Sequence, residues 1–329
     1  MQARRNPDLL MFAALVACGL VAPFFIYPVF LMKVLCFALF ACAFNLLVGY
    51  AGLLSFGHAM FFGFAAYISG YSVKVLGWPT EVGILAGVAV AAALGLVAGA
   101  IAIRRQGIYF AMVTLALSQM VYFFCVQAKF TGGEDGIQAI PRRPLLGLLP
   151  ITNDFVFYYV VLAIFCAGFL IIWRTIHSPF GQVLKAIREN EPRTISLGYA
   201  VDRFKLIAFV LSAALAGLAG ATKAIVFQLA SLTDVTWQMS GEVVLMTLVG
   251  GLGTVFGPIV GAGIIITMQN YLATFGEWVL VIQGAIFVVT VLLFRRGIVG
   301  EFIAFAGRWS GKAERQDELA GEGSVRPAE

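Results

Sequence analysis

The sequence predicts an all-α integral membrane protein, a polytopic helical bundle of about ten membrane-crossing elements, some of them broken or re-entrant. Three observations predict it. Apolar residues fill 61% of the 329 positions and charged residues 12%, and the mean hydropathy of +0.94 lies outside the range of a water-soluble globular domain. Several separate apolar runs reach the roughly 20 residues that a bilayer core of about 30 Å demands of a helix. The basic residues gather in short loops beside those runs, where the positive-inside rule puts them, so the net charge of +5 reads as topology and not as a nucleic-acid surface.

Arg4 and Arg5 precede the first run, Leu9–Phe30, and mark residues 1–8 as a cytoplasmic N-terminus. Leu15-Val16-Ala17-Cys18 looks like a lipoprotein cleavage box, but the apolar run continues past Cys18 to Phe30, which an uncleaved first span explains more simply. Leu31–Tyr50, Phe56–Val75, Val82–Ile103, Ile108–Ala128 and Phe155–Trp173 follow, then a polar loop over 174–205 and a span over Leu206–Gln228. With the N-terminus inside, the Arg104/Arg105 loop and the Arg174–Lys205 loop fall inside, and Gly77–Glu81 and Lys129–Asp154 fall outside. As one helix, Glu242–Tyr271 would be about 45 Å long, well beyond one bilayer crossing. Gly250-Gly251-Leu252-Gly253 and Gly257-Pro258 interrupt it, and two short broken elements bring Arg295 and Arg296 inside after the final span, Trp278–Phe294. The transmembrane domain thus covers 9–297. A cytoplasmic tail over 298–329 follows, whose end, from Ser310 on, is polar and lacks any apolar period, so disorder is expected.

The five cysteines lie inside apolar runs without a C-x-x-C pair, which supports neither a disulfide frame nor a metal site. Gly83, Gly87, Ala91, Gly95 and Gly99 recur every four residues, as do Ala213, Gly217 and Ala221, and Gly253, Gly257 and Gly261. In lipid such rows let backbones approach, so bundle packing is the plain reading and a sliding surface the alternative. Gly49–His58 and Gly250–Pro258 read as breaks at membrane depth, tolerated only against protein or a water-filled cavity. Their half-helix ends could offer N–H and C=O groups to a zwitterionic solute, or could be kinks relieved by a neighbouring helix. The two Gly-rich runs, Val48–Gly52 and Val249–Gly253, also hint at an internal duplication.

Asn45, Gln119, Gln228, Gln269 and Gln283 are polar positions inside spans, suited to helix-to-helix hydrogen bonds or to lining a path. His58 follows a break and fits a hydrogen-bonded scaffold better than a proton carrier. The candidate path-lining set is Asn45, Gly52, Ser55, Gly57, His58, Thr114, Gln119, Gly250, Gly251 and Gly253. Glu242, Lys223 and Glu277 lie near span ends, where they can snorkel. No carboxylate pair lies deep in one span, which argues against an ion-coupled carrier. Gly307-Arg308-Trp309-Ser310-Gly311-Lys312-Ala313 is one residue short of a phosphate loop and ends in Ala, so the chain has no nucleotide site. In the 174–205 loop, Gln182–Glu189 reads as a short helix. A second begins with Asn190 as N-cap, Glu191 and Pro192 in its first turn, and Arg193, Thr194, Ile195, Ser196 and Leu197 before a Gly198 stop. A short helix on a rigid loop is a lever for a partner protein, and a solvated connector is the bland alternative.

Five runs in chain order carry a family resemblance. They are Asn45–Gly52 continuing to Ser55-Phe56-Gly57-His58; Gln106–Ala116; Thr131-Gly132-Gly133-Glu134-Asp135-Gly136; Ser178-Pro179-Phe180-Gly181 leading to Ala186–Glu191; and Gly250–Thr254 with Gly257-Pro258. Together they resemble the inner-membrane permease of bacterial ABC importers for branched-chain amino acids, over nearly the whole chain. The resemblance implies a multi-pass subunit of the bacterial inner membrane with both termini cytoplasmic. It pairs with a second, homologous permease, sits above two ATP-binding subunits that hold ATP and Mg, and receives its solute from a periplasmic solute-binding protein. The chain itself then binds no cofactor and catalyses no reaction, and Asn190–Gly198 seats on the ATPase, although Pro192 stands where the family often has a small residue. Leucine, isoleucine and valine are the solutes implied. Urea, short amides or other amino acids through the same importer class are the alternative, an independent secondary carrier or channel is a further one, and a membrane enzyme ranks last because two histidines without ligand spacing arrange no chemistry.

Overall fold

The computed structural model describes residues 7–144, 153–272, 276, 278–293 and 297–301. Arg4, Arg5, Glu277, Arg295, Arg296, the Gly307–Ala313 run and the tail from 302 onward lie outside the described residues. The architecture is all-helical: α1 Pro7–Val21, α2 Pro28–Asn45, α3 His58–Lys74, α4 Thr80–Ala102, α5 Ile108–Gln127, α6 Asp154–Ile176, α7 Pro179–Glu189, α8 Glu191–Ser196, α9 Val201–Phe227, α10 Trp237–Gly250, α11 Gly257–Leu272 and α12 Trp278–Leu293. Among the described residues the one β contact is an isolated bridge between Ile137 and Ala230. Five helices are long and apolar enough to cross a membrane: α2 with the π-turn that extends it to Tyr50, α4, α5, α6 and α9.

Burial ranks these helices. The apolar window of Pro28–Tyr50 is 72% buried and that of Val201–Phe227 is 61% buried, against 28% for Ile108–Gln127. So α2 and α9 form the centre, with α3 and α4 packed on α9 and with α6, α10 and α11 on α2, while α5 turns Met112, Met120, Phe123 and Phe124 outward. An exposed apolar face of this kind suits lipid, not water.

The small-residue rows are packing surfaces. A Cβ on Gly87 would come 2.8 Å from the Ala65 carbonyl and 3.1 Å from Ala221, one on Gly95 would meet Ala213, and one on Gly220 would land on the carbonyl of Phe62. Close backbone approach replaces the hydrophobic drive that lipid cannot supply.

Several boundaries differ from those read in the sequence. The first run does not continue to Phe30. α1 ends at Val21, a single 3₁₀ turn covers Ala22–Phe24, and α2 starts at Pro28. Pro28 lacks an N–H, which costs nothing in a first helical turn, so it starts a helix more readily than it continues one. Phe24, Phe25 and Tyr27 of this turn are 73%, 84% and 67% exposed, suited to a membrane interface. The 174–205 loop is mostly helical, holding the end of α6, all of α7 and α8, and the start of α9. α10 begins at Trp237, five residues before the expected Glu242. The tail expected from residue 298 begins as helix over 297–301, with Gly297 (φ +72°) set so closely against the Gly251 backbone that a Cβ would overlap it.

Candidate functional site

Two ends of the bundle carry polar structure. At the end where α6 stops and α9 starts, α7 and α8 form a compact helical pair. The Ser178 hydroxyl caps α7 by accepting from Gly181 N–H at 3.3 Å, with Pro179 in the first turn. Asn190 Oδ1 caps α8 by accepting from Arg193 N–H at 3.0 Å, and Pro192 occupies the first turn, where its missing N–H is not needed. Thr194 and Ser196 hydroxyls donate to the carbonyls of Asn190 and Pro192, each at 3.0 Å. The chain leaves α8 through Gly198 in the left-handed region, φ +88°, which a side chain would strain. Glu191 is the anchor of the helix: it takes Lys205 Nζ of α9 at 2.6 Å and the Gln106 amide at 3.1 Å. Thr194 faces inward, while Pro192, Arg193 and Ser196 are exposed, and Ile195 and Leu197 are 54% and 68% exposed. The result is a rigid, capped helix with an apolar tip.

Directly above it the two Gly-rich breaks meet. Asn45 Nδ2 donates to the Thr254 carbonyl at 2.8 Å, and Asn45 Oδ1 accepts from Gly253 N–H at 3.0 Å, so one buried amide satisfies the backbone of the second break from the end of α2. Thr254 Oγ1 donates to Gly251 O at 2.7 Å and accepts from Gly257 N–H at 3.1 Å. Gly250 lies so close to the Gly257 carbonyl that no Cβ fits. Arg188 of α7 donates to the Gly49 carbonyl and packs its stem against Gly52. α7 is thereby bonded to the first break, and through Asn45 to the second.

In the first break, Ser55 Oγ accepts from Gly57 N–H at 3.2 Å, Thr114 Oγ1 accepts from Phe56 N–H at 3.2 Å, and a Cβ on Gly57 would meet the Thr114 carbonyl at 2.5 Å. His58 is fully buried, edge-on to Phe44, Phe61 and Phe209. Its Nε2 pairs with Ser212 Oγ at 2.9 Å, and Ser212 donates to Ala43 O at 2.5 Å. Gln119 sits half-buried on α5. Of the candidate path residues, the structure therefore brings Asn45, Gly250, Gly251 and Gly253 into one knot and Ser55, Gly57, His58 and Thr114 into a packed seam beside it.

The opposite end holds a cavity of about 610 Å³. Lys33 from the start of α2, Lys223 and Phe227 from the end of α9, Met239 and Glu242 from the start of α10, Gln269 from the end of α11 and Gln283 from α12 converge on it. Lys223 does not snorkel, as its place near a span end suggested. Its ammonium is bound by both Asp234 carboxylate oxygens, at 2.7 and 2.6 Å, with side-chain exposures of 11% and 3%. A buried charge needs a partner, and Asp234 on the turn after α9 supplies it. Glu242 faces the Gln269 amide and attracts Lys33. Sequence reasoning passed over Lys33 and Asp234. The signal available was a lysine within the first two turns of an otherwise apolar helix.

Exposed apolar helices long enough to cross a bilayer, a capped helix pair at one end and a polar cavity at the other define a polytopic membrane protein. The family model described as branched-chain amino acid transport system / permease component matches residues 26–291, and the chain belongs to that family. It is 29% identical over 281 residues to the high-affinity branched-chain amino acid transport system permease protein LivM of Salmonella typhimurium, covering 78% of this chain. To LivM of Escherichia coli it is 28% identical over 278 residues, again 78% of this chain. The matched stretch is 65% of each LivM, so less than two thirds of those relatives is spanned. The ribose import permease protein RbsC of Bacillus subtilis is 33% identical over 144 residues, 39% of this chain and 43% of RbsC. No solved structure matches the chain.

Proposed function

We propose that this chain is the permease subunit of an ATP-driven ABC importer in the bacterial inner membrane, moving leucine, isoleucine and valine by alternating access. α1 to α6 and α9 to α12 are the ten membrane-crossing elements of this reading, with both termini and the α7–α8 pair in the cytoplasm. A second, homologous permease pairs with it, two ATP-binding subunits dock below and hold ATP and Mg, and a periplasmic solute-binding protein delivers from above. The observation that carries the reading is α8: a capped helix too short to stand alone, fixed by Glu191 to Lys205, with Ile195 and Leu197 turned to solvent. Exposed apolar side chains on a rigid tip suit a groove on another protein. Arg188 joins the same helical pair to Gly49, so closure of the ATPases can pull on both breaks at once.

In the membrane knot Asn45, Thr254 and Arg188 meet backbone groups of both breaks, which favours a role in carrying motion over one in contacting cargo. A gentle-detergent pull-down of the tagged chain, with ATPase assay, tests the reading. Recovery of a second permease and ATP-hydrolysing subunits supports it. A chain that elutes alone and conducts solute in liposomes overturns it in favour of an independent carrier. The partial likeness to a ribose permease favours a second reading, the same machine with another solute. Competition of uptake by leucine against ribose and urea separates the two.

A further inference from the structure

The cavity between the start of α2, the end of α9 and the starts of α10 and α12 has unused chemistry. Lys223 is neutralised by Asp234, which leaves Lys33 and Glu242 as the charges that line the cavity without a salt bridge between them or to another described residue. Both are half-buried. A second, independent observation points the same way. Gln283 is 3% exposed, lines the cavity, and its Nε2 has no hydrogen-bond partner. A buried amide donor without an acceptor costs about 1–3 kcal/mol, and such a group is tolerated where a ligand completes it.

We propose that this cavity is a transit site for an α-amino acid in its zwitterionic form, with Glu242 taking the ammonium, Lys33 and Gln283 taking the carboxylate, and Phe37, Phe227 and Met239 receiving the aliphatic side chain. The inference rests on reading the chain as an amino-acid permease and gives that reading a place and a solute class. Charge decides the class. A cation and an anion held apart in a partly desolvated cavity are satisfied together by one ligand that carries both opposite charges on groups bonded to a single carbon. Urea, an amide or a sugar would leave both unpaired. The cavity, at about 610 Å³, lies within the range of small-molecule pockets and exceeds one amino acid, leaving water around the charged groups. Partial hydration keeps binding weak enough for release, as a path requires.

The test is equilibrium binding of tritiated leucine to the full-length chain in lipid nanodiscs, without binding protein, competed by 4-methylpentanoate (no ammonium), leucinamide (no carboxylate) and urea. Saturable binding in the range of about 1 mM or tighter is expected, with each one-charge analogue at least about tenfold weaker than leucine. E242Q removes the preference over 4-methylpentanoate, K33Q removes the preference over leucinamide, and Q283L weakens leucine about threefold to tenfold. Q283L replaces a buried unpartnered donor with an apolar side chain, so it retains the fold even where a charge variant does not. Leucine binding that all three variants leave unchanged, urea competing as well as leucine, or no saturable binding overturns the proposal. Copurification with ATPases and ATP-driven uptake report on the importer reading separately: a complex that assembles and imports leucine while its chain fails this binding test sinks the cavity alone.

Discussion

Replacing Asp234 with Asn strips the charge from one partner of a buried pair and keeps the volume. In the wild type Lys223 Nζ lies 2.7 and 2.6 Å from the two carboxylate oxygens, with 11% of the Lys223 side chain exposed. At an effective dielectric of about 20, unit charges at that separation attract by about 6 kcal/mol. Desolvation of both groups offsets much of this, so the net worth of the pair is small, but removing one partner strands the other, at a cost of about 3–5 kcal/mol. Lys223 borders the cavity and keeps 11% of its side chain exposed, so the low end, about 3 kcal/mol, is expected. The assay is unfolding in mixed micelles of rising SDS fraction, followed by circular dichroism, on wild type, D234N and the double variant K223M/D234L. D234N should lower stability by about 3 kcal/mol, and the double variant should recover to within about 1 kcal/mol of wild type, because it buries no lone charge. A D234N protein within about 1 kcal/mol of wild type, or a double variant no more stable than D234N, refutes the reasoning.

Three further outcomes follow from the geometry. Asn45→Leu leaves Gly253 N–H and the Thr254 carbonyl without their partner, so stability in the same unfolding assay should fall by about 2–4 kcal/mol; a loss below about 1 kcal/mol would mean the knot is bridged by other groups. Leu197→Asp alters a side chain 68% exposed on the α8 tip, and copurified ATPase should drop about tenfold or more while the unfolding curve stays in place; undiminished copurification would remove α8 from the docking surface. Gly220→Val puts a branched side chain onto the Phe62 carbonyl, so α3 and α9 must separate at a cost of about 1–3 kcal/mol or more, read as loss of monodisperse protein in detergent; a well-behaved variant of wild-type stability would show that this contact can relax.

The fold was legible wherever one local pattern decides an element. Apolar runs placed the long helices α4, α5 and α6 to within a few residues, and Asn190, with Pro192 and Gly198, marked α8 because N-caps and left-handed stops are written in single residues; α7, expected from Gln182, starts at Pro179 behind the Ser178 cap, a signal the apolar pattern does not carry. The boundary between α1 and α2 was not legible from hydropathy. Residues 22–30 are as apolar as the helices around them, and the turn is set by Pro23 and Pro28, which hydropathy does not weigh. Residues 297–301 carry helix past the expected final span, and Gly297 there meets Gly251, 46 positions away, a contact of a range that leaves no local trace.

The two polar regions differ in the same way. Asn45 and the glycines of both breaks stand out in the sequence because glycine in an apolar run is conspicuous, and the structure does gather them. Their backbone groups, though, are met by Asn45, Thr254 and Arg188, residues far apart in the chain. A break seen in sequence tells which backbone is free of its own helix and not which side chain will satisfy it. The cavity has no local signature: Lys33, Glu242, Gln269 and Gln283 come from four helices that are apolar along most of their length. Singly, each reads as a span-end charge or a helix-to-helix hydrogen bond. Only the packing of α2 against α10 and α11 turns them into one lining, with the cation and the anion apart and the Gln283 amide unpartnered. In a bilayer, where lone polar groups are costly, that convergence is stronger grounds for a solute site than any of the four positions taken alone.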